Sequence, residues 1–161
     1  MRKIVSGLIV VFLIVSFFTS CSDPVRRDFE EYLEHMGDIE ENHEKIKDEM
    51  GKWQDFKVDA ELSKNIYVEV LPLVENSLVK LEEMTPKTEK VTKLKDDYYN
   101  VMLTYKAAFI YFMEGIDYAE STRVDEGIAK IYEAAKLDSE YRESLQELSE
   151  TLNIEIEKYL K

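Results

Sequence analysis

The strongest constraint on the fold is a regular apolar seam that starts at residue 25. Apolar residues and one histidine recur there at alternating intervals of four and three: Val25, Phe29, Tyr32, Met36, Ile39, His43, Ile46, Met50 and Trp53. This spacing places the side chains on one face of an α-helix. Acidic residues fill the positions between them and keep the opposite face charged. We therefore predict an amphipathic helix over about residues 25–52 that must bury one face against other helices.

Two further helices are predicted in the middle of the chain. The second helix runs from about residue 60 to 84 and contains Pro72, which lacks a backbone donor and predicts a kink or a break. The third helix starts at Thr85-Pro86, where a capping side chain stands directly before a proline. Its apolar seam extends to about residue 119, which makes it the longest of the predicted helices.

A fourth helix completes the set. Thr122 and Asp125 have the spacing of a capping box and predict its start, and Asn153 predicts its end. Its predicted core residues are Ile128, Ile131, Ala135, Leu145, Leu148 and Leu152. Four amphipathic helices joined by short loops predict an all-α fold, an antiparallel up-and-down four-helix bundle, because each narrow apolar face needs two neighbours to be buried.

The first 20 residues have a different character from the rest of the chain. Arg2 and Lys3 precede a stretch from Ile4 to Ser20 that contains no charged residue. A short positive start followed by an apolar segment is the layout of a secretory signal peptide. The alternative is an uncleaved membrane anchor, although the uncharged stretch is at the lower limit of what spans a bilayer.

The end of this segment resembles the lipobox of bacterial lipoproteins, in which an apolar and two small residues precede a cysteine that is acylated. Phe18, Thr19, Ser20 and Cys21 hold these positions, and Cys21 is the only cysteine of the chain. Together with its helical pattern, the chain is similar to small exported bacterial lipoproteins with an all-helical mature domain.

This resemblance implies three regions. They are a cleaved lipoprotein signal peptide over residues 1–20, a lipidated Cys21 with a short tether over 21–28, and a helical bundle domain over 29–161. It also implies that membrane lipid is a partner through the acylated cysteine, since its acyl chains would hold the protein firmly on the membrane. The expected location is the extracytoplasmic face of the cell membrane.

The charge of the chain limits its partners. Without residues 1–20, 34 acidic residues stand against 19 basic ones, a net charge of −15. A domain this acidic repels the phosphate backbone, so nucleic acid is excluded as a partner. An envelope protein is the expected partner, and exposed acids of the first helix, Glu34 and Glu41, are candidate contacts. Tyr99, Tyr111 and Tyr118 lie off the predicted core face of the third helix and are also candidates.

The sequence contains no catalytic motif: it has no nucleophile elbow, no HExxH pair and no phosphate-binding glycine loop. We therefore expect neither enzyme activity nor a cofactor. Glu40 and His43 form an E-x-x-H pair, which in ferritin-like bundles places two iron ligands on one helix. Such sites need a second copy on another helix, and His35, the other histidine, lies on the same helix. Glu40 and His43 are thus metal candidates, and the alternative for His43 is a core histidine bonded to a neighbouring helix.

The sequence predicts a membrane-tethered, non-enzymatic lipoprotein that acts as a protein-interaction or scaffolding module on the outer face of the cytoplasmic membrane. The alternative is a helical-bundle lipoprotein that binds a small ligand or a metal, either in an interhelical cavity near Pro72 or at Glu40 and His43. Salt separates two modes of partner binding, because ions screen an acidic contact but leave an aromatic contact largely intact.

Overall fold

A computed structural model describes residues 23–53 and 60–160. These residues are almost entirely helical, and none of them lies in a β-strand. The predicted all-α fold is therefore confirmed. The predicted signal peptide and Cys21 lie outside the described residues. Five α-helices, a π turn and a final 3-10 turn make up the described part: α1 (Pro24–Lys52), α2 (Ala60–Asn65), the π turn (Ile66–Val70), α3 (Leu71–Glu83), α4 (Glu89–Asp117), α5 (Ser121–Leu152) and the 3-10 turn (Ile156–Lys158).

Helix α1 begins with a well-formed cap. Asp23 Oδ1 accepts a hydrogen bond of 3.0 Å from the backbone N–H of Val25, and Pro24 holds the first helical position. The predicted seam is confirmed, since its central residues from Phe29 to Ile46 are buried. The helix also includes residues 24–28, which the sequence assigned to the tether.

Helices α2 and α3 are continuous through the π turn between them. Leu71 N–H bonds to the carbonyl of Ile66, five residues back, instead of four. Pro72 follows at the start of α3, where its missing N–H is next to this widened turn. The chain accommodates the proline through a π turn, where the sequence predicts a kink or a break.

The start of α4 differs from its prediction. The helix begins at Glu89 and not at Thr85-Pro86, because the preceding residues bind α1 instead of forming a first turn. The carboxylate of Asp28 accepts hydrogen bonds from Lys87 N, Thr88 N and Thr88 Oγ1 at 2.6–3.0 Å. A side chain from α1 thus caps this end of α4.

The two last helices end in left-handed residues. Ala119 follows α4 with a φ of 55°, and Asn153 follows α5 with a φ of 53°. In both places the next N–H bonds to a carbonyl five residues back, the pattern of a Schellman motif. The predicted stop at Asn153 is confirmed.

The predicted capping box at the start of α5 is wrong, because Thr122 lies inside α5 and no side chain caps the start of that helix.

The core of α5 was predicted correctly in its second half, where Leu145, Leu148 and Leu152 are buried. In the first half, Ile128 is 39% exposed and Ala135 is exposed. The positions buried there are Gly127, Ala134, Asp138 and Tyr141. The prediction failed because a glycine, an alanine and a polar residue hold these buried positions, and a search for large apolar residues passes over them.

Helices α4 and α5 approach each other closely. A Cβ atom on Gly115 would lie 2.6 Å from the backbone nitrogen of Val124, and one on Gly127 would lie 3.0 Å from the carbonyl oxygen of Ala108. Neither position has room for a side chain. These glycines therefore fix how near the two backbones come.

Contacts between the helices follow an up-and-down order. At one end, Asp28 of α1 bonds to Thr88 in front of α4, and Arg26 donates to the carbonyl of Leu152 in α5. At the other end, Trp53 after α1 packs edge-on against Phe109 of α4. In these contacts α1 therefore runs parallel to α4 and antiparallel to α5, which is the order that an up-and-down four-helix bundle gives its first, third and fourth helices.

Replacing Gly115 tests the close contact of α4 and α5. Gly115→Ala should lower the free energy of unfolding by about 1–3 kcal/mol, because the new methyl group overlaps the backbone at Val124. Gly51→Ala is the matched control, since a Cβ there meets nothing within 4 Å, and it should raise stability by up to about 1 kcal/mol. Urea denaturation of the purified proteins measures both. A Gly115→Ala protein as stable as the wild type would contradict the contact.

Candidate functional site

An open cleft of about 370 Å³ lies between α1 and the end of α3. Its walls carry five acidic side chains against one lysine. The lining residues are Asp28, Glu31, Tyr32, Glu34, His35, Asp38, Lys80, Glu83, Met84, Thr85 and Pro86. We call this site the acidic cleft.

Lysine side chains hold two acids of the cleft, Glu31 and Asp38, in their charged form. Lys80 Nζ lies 2.6 Å from Asp38 Oδ2, and Lys87 Nζ lies 2.8 Å from Glu31 Oε2. The hydrogen bond and the positive charge of each lysine lower the pKa of its partner carboxyl group. The cleft therefore stays negative at neutral pH.

Asp28 forms the buried part of the cleft wall. Burial alone would raise the pKa of its carboxyl group, but the hydrogen bonds from Thr88 and Lys87 outweigh burial and leave the pKa below its ordinary value. The ionised carboxylate also lies at the N-terminal end of α4, where the helix dipole favours a negative charge. Asp28 thus shapes the cleft and holds α4 on α1.

A second group of polar residues lies between α1, α4 and α5, with three members buried and the Arg142 side chain 39% exposed. His43 is fully buried, and its Nδ1 lies 2.7 Å from Tyr98 Oη of α4. Arg142 of α5 reaches Glu40 Oε2 at 3.1 Å and Asp138 Oδ2 at 3.0 Å. We call Glu40, His43, Asp138 and Arg142 the buried polar cluster.

Three atoms of this cluster are buried without a hydrogen-bond partner among the described residues: Glu40 Oε1, His43 Nε2 and Asp138 Oδ1. Burial lowers the pKa of His43 to about 4, and the charges of Lys47 and Arg142 act in the same direction while Asp138 opposes them. The imidazole is therefore neutral at neutral pH.

Tyrosines surround the cluster. Tyr32 of α1 and Tyr141 of α5 share a hydrogen bond of 2.9 Å between their hydroxyl oxygens. The ring centroids of Tyr98 and Tyr141 are 4.5 Å apart. Burial raises the pKa of each of these hydroxyl groups, so they stay neutral and serve as hydrogen-bonding groups.

The metal candidates Glu40 and His43 are neighbours, but the structure gives them other partners. His43 Nδ1 bonds to Tyr98, and Arg142 places a positive charge on Glu40. Among the described residues, no group of three His, Cys, Asp or Glu side chains is arranged to hold a metal ion. His43 lies in the core and is bonded to Tyr98 of a neighbouring helix, the arrangement that the alternative describes.

The two acidic partner candidates are both exposed on α1. Glu34 lines the acidic cleft. Glu41 lies outside it and pairs with Lys45, with 2.6 Å between Oε1 and Nζ. The structure thus distinguishes two positions that look equivalent in the sequence.

The three tyrosine candidates lie on α4 or at its end, away from the cleft. Tyr99 is half-buried and donates a hydrogen bond of 2.7 Å to Glu82. Tyr111 is half-buried, with the guanidinium of Arg123 5.0 Å above its ring. Tyr118 is 73% exposed. They therefore do not form one surface with Glu34.

Sequence reasoning missed Asp138, Tyr141 and Arg142. An acid and an arginine four residues apart on a helix are typical of an exposed ion pair, which hides their role in the cluster. The spacing of two of these residues does indicate that they are buried. Asp138 and Tyr141 precede the core residue Leu145 by seven and four residues, which places all three on the same face of α5.

The helical bundle and the signal pattern in front of it define a small helical lipoprotein. The family model of EMYY-motif containing lipoproteins matches residues 1–118, and the chain belongs to this family. The resemblance inferred from the sequence is thus confirmed, and the protein is a membrane-associated lipoprotein. The literal string Glu-Met-Tyr-Tyr is absent, and the only consecutive tyrosines are Tyr98 and Tyr99. No curated protein and no solved structure matches the chain.

In residues 23–53 and 60–160, no helix is both long enough and apolar enough to cross a bilayer.

Removing the Asp28 carboxylate tests its role in holding α4. Asp28→Ala should lower the free energy of unfolding by about 2 kcal/mol, because the N–H groups of Lys87 and Thr88 lose their acceptor. Since the folded pKa is lowered, this stabilisation is present above the ordinary pKa and is lost as the pH falls. Asp28→Asn, which keeps one acceptor oxygen, should lose less. If urea denaturation showed the same loss of unfolding free energy in both variants, the proposed role of Asp28 would be contradicted.

Buried His43 should make stability depend on pH. Because its pKa falls from 6.5 in the unfolded chain to about 4 in the fold, the unfolded chain binds the proton first. The free energy of unfolding should therefore fall as the pH drops from 6.5 towards 4, with a slope of up to about 1.4 kcal/mol per pH unit from this group. Comparison of wild type with His43→Gln across this range should show that slope missing in the variant. His35→Gln, at an exposed position, should retain it, and an unchanged slope in His43→Gln would refute the prediction.

Proposed function

We propose that the protein is a non-enzymatic, lipid-anchored interaction module on the outer face of the cytoplasmic membrane. In this proposal the acidic cleft binds a basic segment of an envelope protein and holds that protein at the membrane. The observation that carries the proposal is the position of the cleft beside the start of α1. Family membership supports the lipid anchor, and Cys21 is the only cysteine that could carry it.

The distance from the anchor to the cleft is short. Cys21 precedes Pro24 by three residues, which span at most about 11 Å of chain. Glu34 lies ten residues further along α1, a rise of about 15 Å. A lipid on Cys21 would therefore keep the cleft near the headgroups, where segments next to the transmembrane helices of other proteins also lie.

The charge of the cleft indicates the chemistry of the partner. Asp28, Glu31 and Asp38 are ionised, and Glu34 and Glu83 are exposed beside them. A negative surface on a protein with a net charge of −13 attracts basic segments and accelerates their association. The cleft would repel acidic headgroups, which leaves it accessible to a protein segment.

A small cationic ligand is the second candidate. The cleft volume of about 370 Å³ is within the range of small-molecule sites in proteins, about 300–1,000 Å³. This volume favours the alternative of a ligand-binding lipoprotein at the acidic cleft rather than near Pro72, which does not line it.

Charge reversal in the cleft tests the proposal. Membranes that carry the wild type should yield a discrete crosslinked partner at low salt, and Glu34→Lys should abolish that product, because it places a positive charge in the cleft. Glu41→Lys makes the same charge change on the same helix outside the cleft and should leave the product intact. Loss in both variants, or in neither, would show that the cleft is not the site.

The anchor and the ligand alternative have their own tests. Cys21→Ala should end labelling by a radioactive fatty acid, and labelling that persists would rule out lipidation at Cys21.

For the alternative of a small cationic ligand, spermidine should raise the melting temperature of the wild type and of Glu41→Lys, but not of Glu34→Lys. A rise of this kind without a crosslinked partner would favour the small ligand over the protein segment.

A further inference from the structure

A second surface runs along the outer side of α3 and α4. Two contacts show that these helices lie side by side and antiparallel. Lys106 Nζ lies 3.0 Å from Glu75 Oε1, and Tyr99 Oη donates a hydrogen bond of 2.7 Å to Glu82 Oε1. Residues between these two cross-links therefore face each other across the groove between the helices.

Apolar side chains occupy the middle of this groove. On α3, Val79 lies four residues after Glu75 and three before Glu82, and it is 51% exposed. On α4, Leu103 lies four residues after Tyr99 and three before Lys106, and it is 40% exposed. Side chains at these intervals share one face of a helix, so Val79 and Leu103 lie between the two cross-links.

The apolar stripe continues beyond the second cross-link. Ile110 lies four residues after Lys106 and is 38% exposed. Pro72 lies three residues before Glu75 on the antiparallel helix and is exposed. The four side chains Pro72, Val79, Leu103 and Ile110 form what we call the outer groove.

The outer groove is distinct from the acidic cleft. Lys80 of α3 points to α1, since it pairs with Asp38. Glu75 and Glu82 of the same helix pair with α4. The two surfaces therefore lie on different sides of α3, and a ligand in one leaves the other open.

We propose that the outer groove docks an amphipathic helix of a partner protein whose apolar stripe is flanked by basic residues. Two apolar stripes at helical spacing form the kind of groove into which a helix lays its apolar face. The border of the groove carries Glu75, Glu82 and Asp96 against Lys95 and Lys106. Lys106 pairs with Glu75 and Lys95 pairs with Asp96, so Glu82 is the acid in excess beside the apolar stripe. A second copy of this chain would bring the same acidic border and a net charge of −13, which opposes self-association.

The test uses a labelled peptide of 18 residues with leucine at positions i, i+3, i+4 and i+7 and lysine elsewhere. Fluorescence anisotropy should show that the peptide binds the wild-type protein. Leu103→Ser combined with Ile110→Ser should weaken binding at least ten-fold. Ile128→Ser combined with Tyr132→Ser removes two exposed apolar residues of α5 and should change affinity less than two-fold. A peptide with glutamine in place of leucine should bind at least ten-fold more weakly.

Each other outcome would overturn the proposal. The outer groove is excluded if the wild type does not bind the peptide, if both double variants lose affinity equally, or if neither does. If Glu34→Lys loses peptide binding while the Leu103→Ser/Ile110→Ser double variant keeps it, the peptide binds in the acidic cleft. Sedimentation that shows a dimer for the wild type and a monomer for that double variant would identify a second copy as the occupant. Circular dichroism checks that the variants are folded.

Discussion

The close contact of α4 with α5 determines how the rest of the bundle packs. Gly115 and Gly127 let the two backbones meet without a side chain between them. Helix α1 meets α5 differently, through long side chains: Tyr32 reaches Tyr141, and Arg142 reaches Glu40. Glycines therefore form the contact of α4 with α5 at one end, whereas Tyr98 and Tyr141 meet at the other. Large side chains also form the contact of α1 with α5, where the buried polar cluster lies.

The buried polar cluster fixes the register of α1. Buried carboxylates are costly unless a partner compensates them, and Arg142 does so for both Glu40 and Asp138. A slide of α1 by one turn, about 5.4 Å, would separate Arg142 from Glu40 and His43 from Tyr98 at the same time. Apolar contacts alone would tolerate such a slide better, since one seam residue would replace another. The register in turn places Asp28 opposite Thr88, which closes the acidic cleft at its base.

The sequence predicted well where apolar and charged residues alternate cleanly, as along α1, and less well where other forces dominate. The first half of α5 packs through Gly127 and Ala134, which a search for large apolar residues passes over, so Ile128 was placed in the core by mistake. Glu34 was recognised as an acidic surface residue, but Lys80 and Glu83 of the same cleft come from α3, and only the tertiary fold brings them there. The cap of α4 was misplaced for the same reason, since its acceptor, Asp28, lies 60 residues before Thr88.

Many partners of α1 come from much later in the chain. Arg26 bonds to the carbonyl of Leu152, 126 residues away, and Glu40 pairs with Arg142, 102 residues away. Because a chain is synthesised from its N-terminus, α1 is made well before these partners. During that interval its apolar face and its future buried acids are exposed to solvent. The domain thus completes its fold only when nearly the whole chain has been made, and α1 must remain soluble until then.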